Sequence, residues 1–123
     1  MKAVTQTSLA VDAGAICVMD GHDGIGQVIT RQAVDQAVTR AKLHGVGVVS
    51  IRNSNHFGTC MYYTRIAAEQ GCVMLLMSNA GPNMAPWGGL KKKIGTNPWS
   101  IAVPGGAYGP IVMDMANSGV ARG

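Results

Sequence analysis

Residues 30–51 have the sequence TRQAVDQAVTRAKLHGVGVVSI, in which the spacing of apolar residues changes from a helical to a strand-like period. Five small or branched apolar residues recur at three- and four-residue spacing, namely Ala33, Val34, Ala37, Val38 and Ala41. They predict a helix over residues 30–44, capped by Thr30 and stopped by Gly45. Val46 to Ile51 is β-branched and predicts a strand. This stretch is therefore a helix that leads into a strand.

Further elements continue the alternation on both sides. The apolar run Ala15 to Met19 precedes the helix and predicts a strand. Thr59 to Gln70 predicts a second helix, stopped by Gly71, and Val73 to Met77 predicts a strand that is covered on both faces. Strands that alternate with helices indicate a sheet with crossover helices.

The remainder of the chain does not continue the alternation of strands and helices. Residues 78–98 contain three prolines and four glycines and predict a long ordered loop, typical of functional loops. We expect its apolar side chains to anchor it; they are Met84, Trp87, Leu90 and Ile94. Trp99 to Val103 and Ile111 to Met115 predict two antiparallel strands. The chain is therefore expected to be an α/β protein with a mixed sheet and crossover helices.

The composition excludes several classes of protein. With 123 residues, 47% hydrophobic and 13% charged residues, the chain is too apolar for a disordered segment and has the length of one domain. The 5% aromatic content and a single run of lysines, residues 91–93, argue against a nucleic-acid surface. No run of apolar residues is long enough for a membrane span or typical of a signal peptide, so we expect a cytoplasmic protein. The three cysteines show no Cys-x-x-Cys spacing, which favours buried thiols over disulfides or a zinc site.

The glycine-rich stretch Gly21-His22-Asp23-Gly24-Ile25-Gly26 lies between a strand and a helix, where a dinucleotide-binding turn would be. Its spacing is G-x-x-G-x-G rather than G-x-G-x-x-G. The predicted helix also begins several residues later, and Arg52 ends the next strand where the fingerprint has an acid. These three differences favour a glycine-rich surface turn over a Rossmann loop.

His56 is the candidate for chemistry among the three histidines. It follows the predicted strand Val46 to Ile51 and precedes a helix, the position at which open α/β sheets present their ligands. The partial positive charge of the helix N-terminus favours neutral imidazole, which takes a proton from an alcohol or returns one to a ketone. A capping or packing role remains equally compatible with this position. Metal binding by His56 with Cys60 is not favoured, because no third ligand is suitably spaced.

Asp114 is the second notable polar residue. It ends an apolar strand and precedes Ala116-Asn117-Ser118-Gly119, small residues that can pack against a ligand. Position alone favours an N-cap for the segment that follows.

Four motifs, in this order and spacing, resemble the type-2 malate/L-lactate dehydrogenase family, which includes ureidoglycolate, sulfolactate and diketogulonate oxidoreductases. They are Arg52-Asn53-Ser54-Asn55-His56-Phe57-Gly58, Pro86-Trp87-Gly88-Gly89, Gly95-Thr96-Asn97-Pro98 and Asp114-Met115-Ala116-Asn117-Ser118. The resemblance covers essentially the whole chain. It implies hydride transfer between NAD or NADP and a small-molecule 2-oxo or 2-hydroxy acid, on a non-Rossmann nicotinamide-binding domain and usually in a homodimer.

The resemblance also implies roles for individual residues. His56 matches the histidine that acts as acid and base in some members, and Ala80 matches a cofactor-contacting position. Asp114, Met115 and Ala116 match a cofactor-binding stretch. Asn117 stands where the family often has threonine, which puts only that side-chain contact in doubt.

The family's N-terminal helical region, which carries a substrate-binding arginine, and its C-terminal part have no counterpart in this chain. Neither Arg52 nor Arg65 matches that arginine. Residues 1–123 are therefore expected to be part of a cofactor-binding and catalytic domain, a fragment that is inactive or nearly so by itself. The alternative is a non-catalytic binding or assembly module that keeps the fold.

Overall fold

The computed structural model describes residues 1–2 and 4–119. Within these residues the chain forms six strands, two α-helices and one turn of 3-10 helix at Gly106–Tyr108. In chain order the main elements are β1 (Ser8–Ala13), β2 (Ile16–Asp20), α1 (Gly26–His44), β3 (Val48–Arg52), α2 (Cys60–Glu69), β4 (Met74–Met77), β5 (Trp99–Val103) and β6 (Ile111–Met115).

The first sheet has the strand order β1-β2-β3. β1 and β2 form an antiparallel pair, whereas β2 and β3 are parallel and are joined by α1 as a crossover helix. The inner face of this sheet packs on α1 through a small apolar core. Its members are Met19, Ile29 and Ala33, with Val49 and Ile51 partly buried against them.

The second sheet has the order β4-β5-β6 and is antiparallel throughout. Helix α2 packs on all three of its strands. At the centre of this contact the hydroxyl oxygens of Thr64 and Ser100, both completely buried, are 2.8 Å apart and form a hydrogen bond. Burial of two hydroxyls is tolerated here because each satisfies the other.

Helix α1 contributes to the second core as well. Val34 and Val38 of α1 pack against Tyr63 and Ala67 of α2, and Met74 and Leu76 of β4 lie against the same cluster. The two sheets are therefore held together through α1.

The first helix was predicted with a correct end and a wrong start. It ends at His44, and Gly45 adopts a left-handed conformation (φ 82°) with its N–H donating to the Ala41 carbonyl, as predicted. It begins at Gly26, however, and Thr30 is buried rather than being the N-cap. The argument that the helix starts too late for a dinucleotide fingerprint is therefore wrong. The glycine spacing and Arg52 still argue against such a fingerprint.

The α/β class and the crossover between β2 and β3 are confirmed. The expectation that the next strand joins the same sheet is wrong, because α2 connects β3 to a strand of the second sheet. The strand β1 was not predicted. Nor is β4 covered on both faces by the described part of the chain: Leu75 is 53% and Met77 67% exposed.

Residues 78–98 form the predicted long loop, held by a bridge between Met84 and Ile94. The Met84 and Asn83 N–H groups both donate to the Ile94 carbonyl. Trp87 and Leu90, which were expected to anchor the loop, are instead fully exposed. The backbone bridge, rather than these two side chains, orders this segment.

Cys17 and Cys60 are buried, Cys72 is partly buried, and all three are free thiols, as predicted. Residues 1–2 and 4–119 contain no group of three potential metal ligands. Neither of the two α-helices in the described part of the chain is long and apolar enough to cross a bilayer.

Candidate functional site

The first turn of α2 meets the end of β6 at a cleft of about 190 Å³. This cleft brings together two motifs that lie far apart in the sequence, together with one residue of the long loop. Its lining residues are Gly58, Thr59, Cys60, Pro98, Asp114, Met115 and Ala116. Three of the five sequence-predicted site residues, Asp114, Met115 and Ala116, therefore share one cavity wall.

Asp114 caps α2 from a different element. Its Oδ2 accepts a hydrogen bond from the Thr59 hydroxyl at 2.5 Å and another from the Met61 backbone N–H at 3.1 Å. The carboxylate thus satisfies a first-turn N–H of α2 and lies at the positive end of the helix. Asp114 thus caps α2, which precedes β6. The expected cap for the segment after β6 remains a prediction, because residues 120–123 lie outside the described residues.

This arrangement makes Cys60 chemically inert. Burial, reinforced by the negative charge of Asp114, raises the pKa of the Cys60 thiol to about 11. The thiol is therefore protonated near neutral pH and is a poor nucleophile and metal ligand.

We expect Asp114→Ala to destabilise the protein by about 0.5–2 kcal/mol, the usual cost of losing a helix cap. The first turn of α2 loses its acceptor, so amide exchange at Met61 should accelerate. Urea unfolding and hydrogen exchange measure the two effects. Asp35→Ala is the control, because Asp35 is an exposed acid on α1 paired with Arg31; equal losses in the two variants would contradict a capping role for Asp114.

His56 lies in residues 52–58, here called the His56 loop, which starts with the last residue of β3 and leads to α2. The loop is held from both sides. The Asn55 side-chain amide donates to the carbonyls of Asp23 and Gly24 at 3.0 and 2.9 Å, and the Tyr63 hydroxyl donates to the Phe57 carbonyl at 2.6 Å.

The imidazole of His56 makes no polar contact with the described residues. It is exposed, and it has no hydrogen-bond partner or ion pair among residues 1–2 and 4–119. By contrast, His22 contacts Ser8 and Asp20 through its two ring nitrogens. A histidine on a fixed backbone with an unengaged ring is available to a ligand.

Asp20, at the end of β2, is the buried acid of this region. It accepts hydrogen bonds from the His22 backbone N–H (2.9 Å), the Asn53 side-chain amide (3.0 Å) and the Arg52 Nε (2.8 Å). The His22 N–H, Asn53 and Arg52 together lower the pKa of Asp20 to about 2. Asp20 is therefore ionised at neutral pH and joins the ends of β2 and β3.

Ala80 does not line the cleft but is linked to its rim. The Ala80 backbone N–H donates to the Asn97 Oδ1 at 3.0 Å, and the Asn97 carbonyl accepts from the Asn117 side-chain amide at 3.2 Å. Asn117 also donates its backbone N–H to the Thr96 carbonyl. Asparagine at position 117 is thus engaged in holding the long loop beside the end of β6.

Sequence reasoning missed two groups of residues. Thr59 and Asn97 were not singled out as individual site residues, although Asn97 lies within a quoted motif. Asp20 and Gly26 were passed over together with the glycine-rich turn. The available signal was the density of polar and glycine residues at the ends of two neighbouring strands, where loops of an α/β sheet converge.

A second and larger cleft, of about 690 Å³, opens on the other side of the segment Phe57-Gly58-Thr59. It lies between the first turns of α1 and α2 and has mostly apolar walls. Gly58 and Thr59 line both clefts, so the residues that follow His56 border each cavity.

Comparisons with known proteins agree with this organisation. All 123 residues match the family model described as malate/L-lactate dehydrogenase. An L-sulfolactate dehydrogenase of Methanocaldococcus jannaschii is 44% identical over 112 residues, covering 91% of this chain and 32% of the relative. A (2R)-3-sulfolactate dehydrogenase (NADP(+)) of Chromohalobacter salexigens is 35% identical over 99% of this chain and 37% of its own length.

The fold is also found in a solved structure. The malate dehydrogenase of Pyrococcus horikoshii superposes with a TM-score of 0.92 and 36% identity, covering 97% of this chain and 34% of that structure. The chain thus spans about a third of the length of the relatives that it matches. Its full-length match to the family model and its fold show that the chain belongs to the malate/L-lactate dehydrogenase family.

Proposed function

We propose that this chain is part of an oxidoreductase that transfers a hydride between NAD or NADP and a 2-oxo or 2-hydroxy acid, with His56 as the acid and base. The family and the names of the relatives, which are hydroxy-acid dehydrogenases, support the reaction class. The observation that supports the role of His56 is its ring, which has no partner among residues 1–2 and 4–119. His56 itself lines neither cleft, but the next residues of the chain, Phe57 to Thr59, do.

His56 would act on the substrate hydroxyl. In the oxidation direction its neutral imidazole accepts the hydroxyl proton while the carbon that bears this hydroxyl loses hydride. In the reduction direction the imidazolium returns the proton to the carbonyl oxygen. A ring without a protein partner is free to make this contact.

In this proposal the small cleft would hold part of a nicotinamide cofactor. Its walls are the backbone and short side chains of Gly58, Pro98 and Ala116, which allow a flat ring or a chain of sugar and phosphate to approach closely. The Asp114 carboxylate is engaged by α2, so Met115 and Ala116 would contact the cofactor directly and Ala80 would do so from the neighbouring loop. A bound nicotinamide supplies the hydride donor or acceptor.

A 2-hydroxy acid also needs a fixed cation for its carboxylate. Each of the four arginines among residues 4–119 already forms an ion pair with an acid: Arg31 with Asp35, Arg40 with Asp12, Arg52 with Asp20 and Arg65 with Glu69. The resemblance assigns the substrate-binding arginine to a region that none of these residues matches, so we propose that the cation for the substrate comes from another part of the full-length protein and that these 123 residues are inactive by themselves. From the resemblance we expect the full-length protein to be a homodimer.

The test is to measure oxidation of NADH and NADPH with a panel of 2-oxo acids. A chain of the relatives' full length that contains these residues should turn over, whereas the 123-residue chain should not. Robust turnover by the 123 residues would contradict the proposed division of the site. Calorimetry distinguishes the alternative: if neither cofactor binds the full-length chain saturably, a binding or assembly module is favoured.

A further inference from the structure

The glycine-rich turn that failed as a dinucleotide fingerprint contacts the His56 loop along most of its length. This turn, residues 20–26, is here called the support turn. The Gly21 N–H donates to the Arg52 carbonyl and the Asp23 N–H to the Asn53 carbonyl, both at 2.9 Å. Asn55 returns two hydrogen bonds to the support turn. These four hydrogen bonds therefore join the support turn to the His56 loop.

Asp20 fixes the start of the His56 loop. Its buried carboxylate binds the side chains of Arg52 and Asn53, and Asn53 has a left-handed backbone (φ 51°). Asparagine tolerates this conformation better than most residues, and its side-chain bonds to Asp20 keep it in place. The direction in which the chain leaves β3 thus depends on Asp20.

Gly26 fixes the loop at His56 itself. A Cβ atom at position 26 would lie 2.2 Å from the Asn55 carbonyl oxygen and 2.3 Å from that of His56. Both are backbone atoms, so a side chain could be accommodated only if the loop moved. The φ angle of Gly26 is not in the left-handed region, so the glycine is needed for this close approach and not for its conformation.

We infer that the support turn is the positioning element for the catalytic histidine, with Gly26 setting the distance of His56 from the N-terminus of α1 and Asp20 setting the path of the loop. This inference rests on the proposed function of His56. Gly26 and Asp20 do not contact the reacting atoms in this proposal; both act through the backbone of His56. A displacement of about 1 Å in a catalytic group can cost about 10²-fold in rate.

The test compares Gly26→Ala with Gly47→Ala in a full-length protein that contains this chain. Gly47 is the matched control, because a Cβ there would lie 2.1 Å from the Ala37 carbonyl oxygen of α1, an equally severe contact away from the His56 loop. We expect Gly26→Ala to lower kcat by about 10²-fold with KM changed by less than about threefold, a loss of transition-state stabilisation. Gly47→Ala should lower thermal stability to a similar extent and leave kcat near that of the parent.

A second variant and a second measurement guard against simple unfolding. Asp20→Asn keeps the size of the side chain but removes the charge and one acceptor oxygen, so kcat should fall. Because loss of a carboxylate with a lowered pKa also costs stability, kcat is measured well below the unfolding temperature of this variant. Hydrogen exchange at the Gly21 and Asp23 amides, which donate to the His56 loop, should accelerate in Asp20→Asn and stay unchanged in Gly47→Ala.

The outcomes separate this inference from the proposed function. If His56→Ala retains full kcat, the proposed role of His56 fails, whereas the exchange measurement still reports whether the support turn holds the loop. If His56→Ala is inactive but Gly26→Ala and Asp20→Asn lose no more kcat than Gly47→Ala, the positioning role is overturned. Unchanged exchange at Gly21 and Asp23 in Asp20→Asn would overturn it as well.

Discussion

We expect His56→Ala to lower kcat by about 10²–10⁴-fold in a full-length protein that contains this chain, the usual contribution of acid and base catalysis. In the proposed function the imidazole exchanges a proton with the substrate hydroxyl, and alanine leaves that exchange to water. Because the ring makes no hydrogen bond to any other described residue, its removal should leave thermal stability almost unchanged.

The measurement is the steady-state rate with NADH and a 2-oxo acid, together with thermal unfolding. His44→Ala is the matched control, since His44 is also exposed but lies at the opposite end of α1 from Gly26. A full loss of activity in both variants would indicate a general structural effect. An unchanged kcat in His56→Ala would contradict the proposed role of His56 as acid and base and would assign it a structural role.

Tyr63→Ala destabilises the fold by about 3–5 kcal/mol, the cost of removing a large aromatic side chain from a core. Tyr63 is 1% exposed and packs in the cluster shared by α1, α2 and β4. Its ring also contacts those of Phe57 and Tyr62 edge-on, with centroids 5.7 and 5.0 Å away. The substitution therefore leaves a cavity at the point where both sheets are joined.

Tyr63→Phe isolates the hydroxyl. Burial raises the pKa of the Tyr63 phenol, so the hydroxyl remains protonated and donates to the Phe57 carbonyl. Its loss should cost about 1 kcal/mol, the net value of one hydrogen bond. Urea unfolding measures both variants, and Tyr62→Ala serves as the control because Tyr62 is 57% exposed. If Tyr62→Ala were as destabilising as Tyr63→Ala, the shared core would not depend on Tyr63.

The elements that could be predicted are those whose signal is local. The end of α1 follows from one glycine in a left-handed conformation, and β5 and β6 have the predicted bounds because each is a short apolar run between turn residues. The start of α1 was misplaced because Thr30 resembles a cap. Ile29, four residues before Ala33 and buried beside it, carries the apolar period back to the true start.

Pairing between distant segments could not be predicted. Alternation of strands and helices indicates crossovers, but it does not specify which strands share a sheet. The pattern therefore did not predict that α2 leads into a second sheet. The resemblance implied that His56 and Asp114 belong to one site. It did not show that Asp114 binds Thr59, because residues so far apart in the chain meet only through the packing of β6 beside α2.

The cap on α2 has a consequence for the order of assembly. Thr59 and Met61 receive their acceptor from a residue 55 and 53 positions later in the chain. During synthesis from the N-terminus, the first turn of α2 therefore has no acceptor from Asp114 until residue 114 has left the ribosome and β6 has paired with β5. The small cleft is thus complete only when β6 has joined the second sheet, and ligand binding there reports on chains in which that sheet is in place.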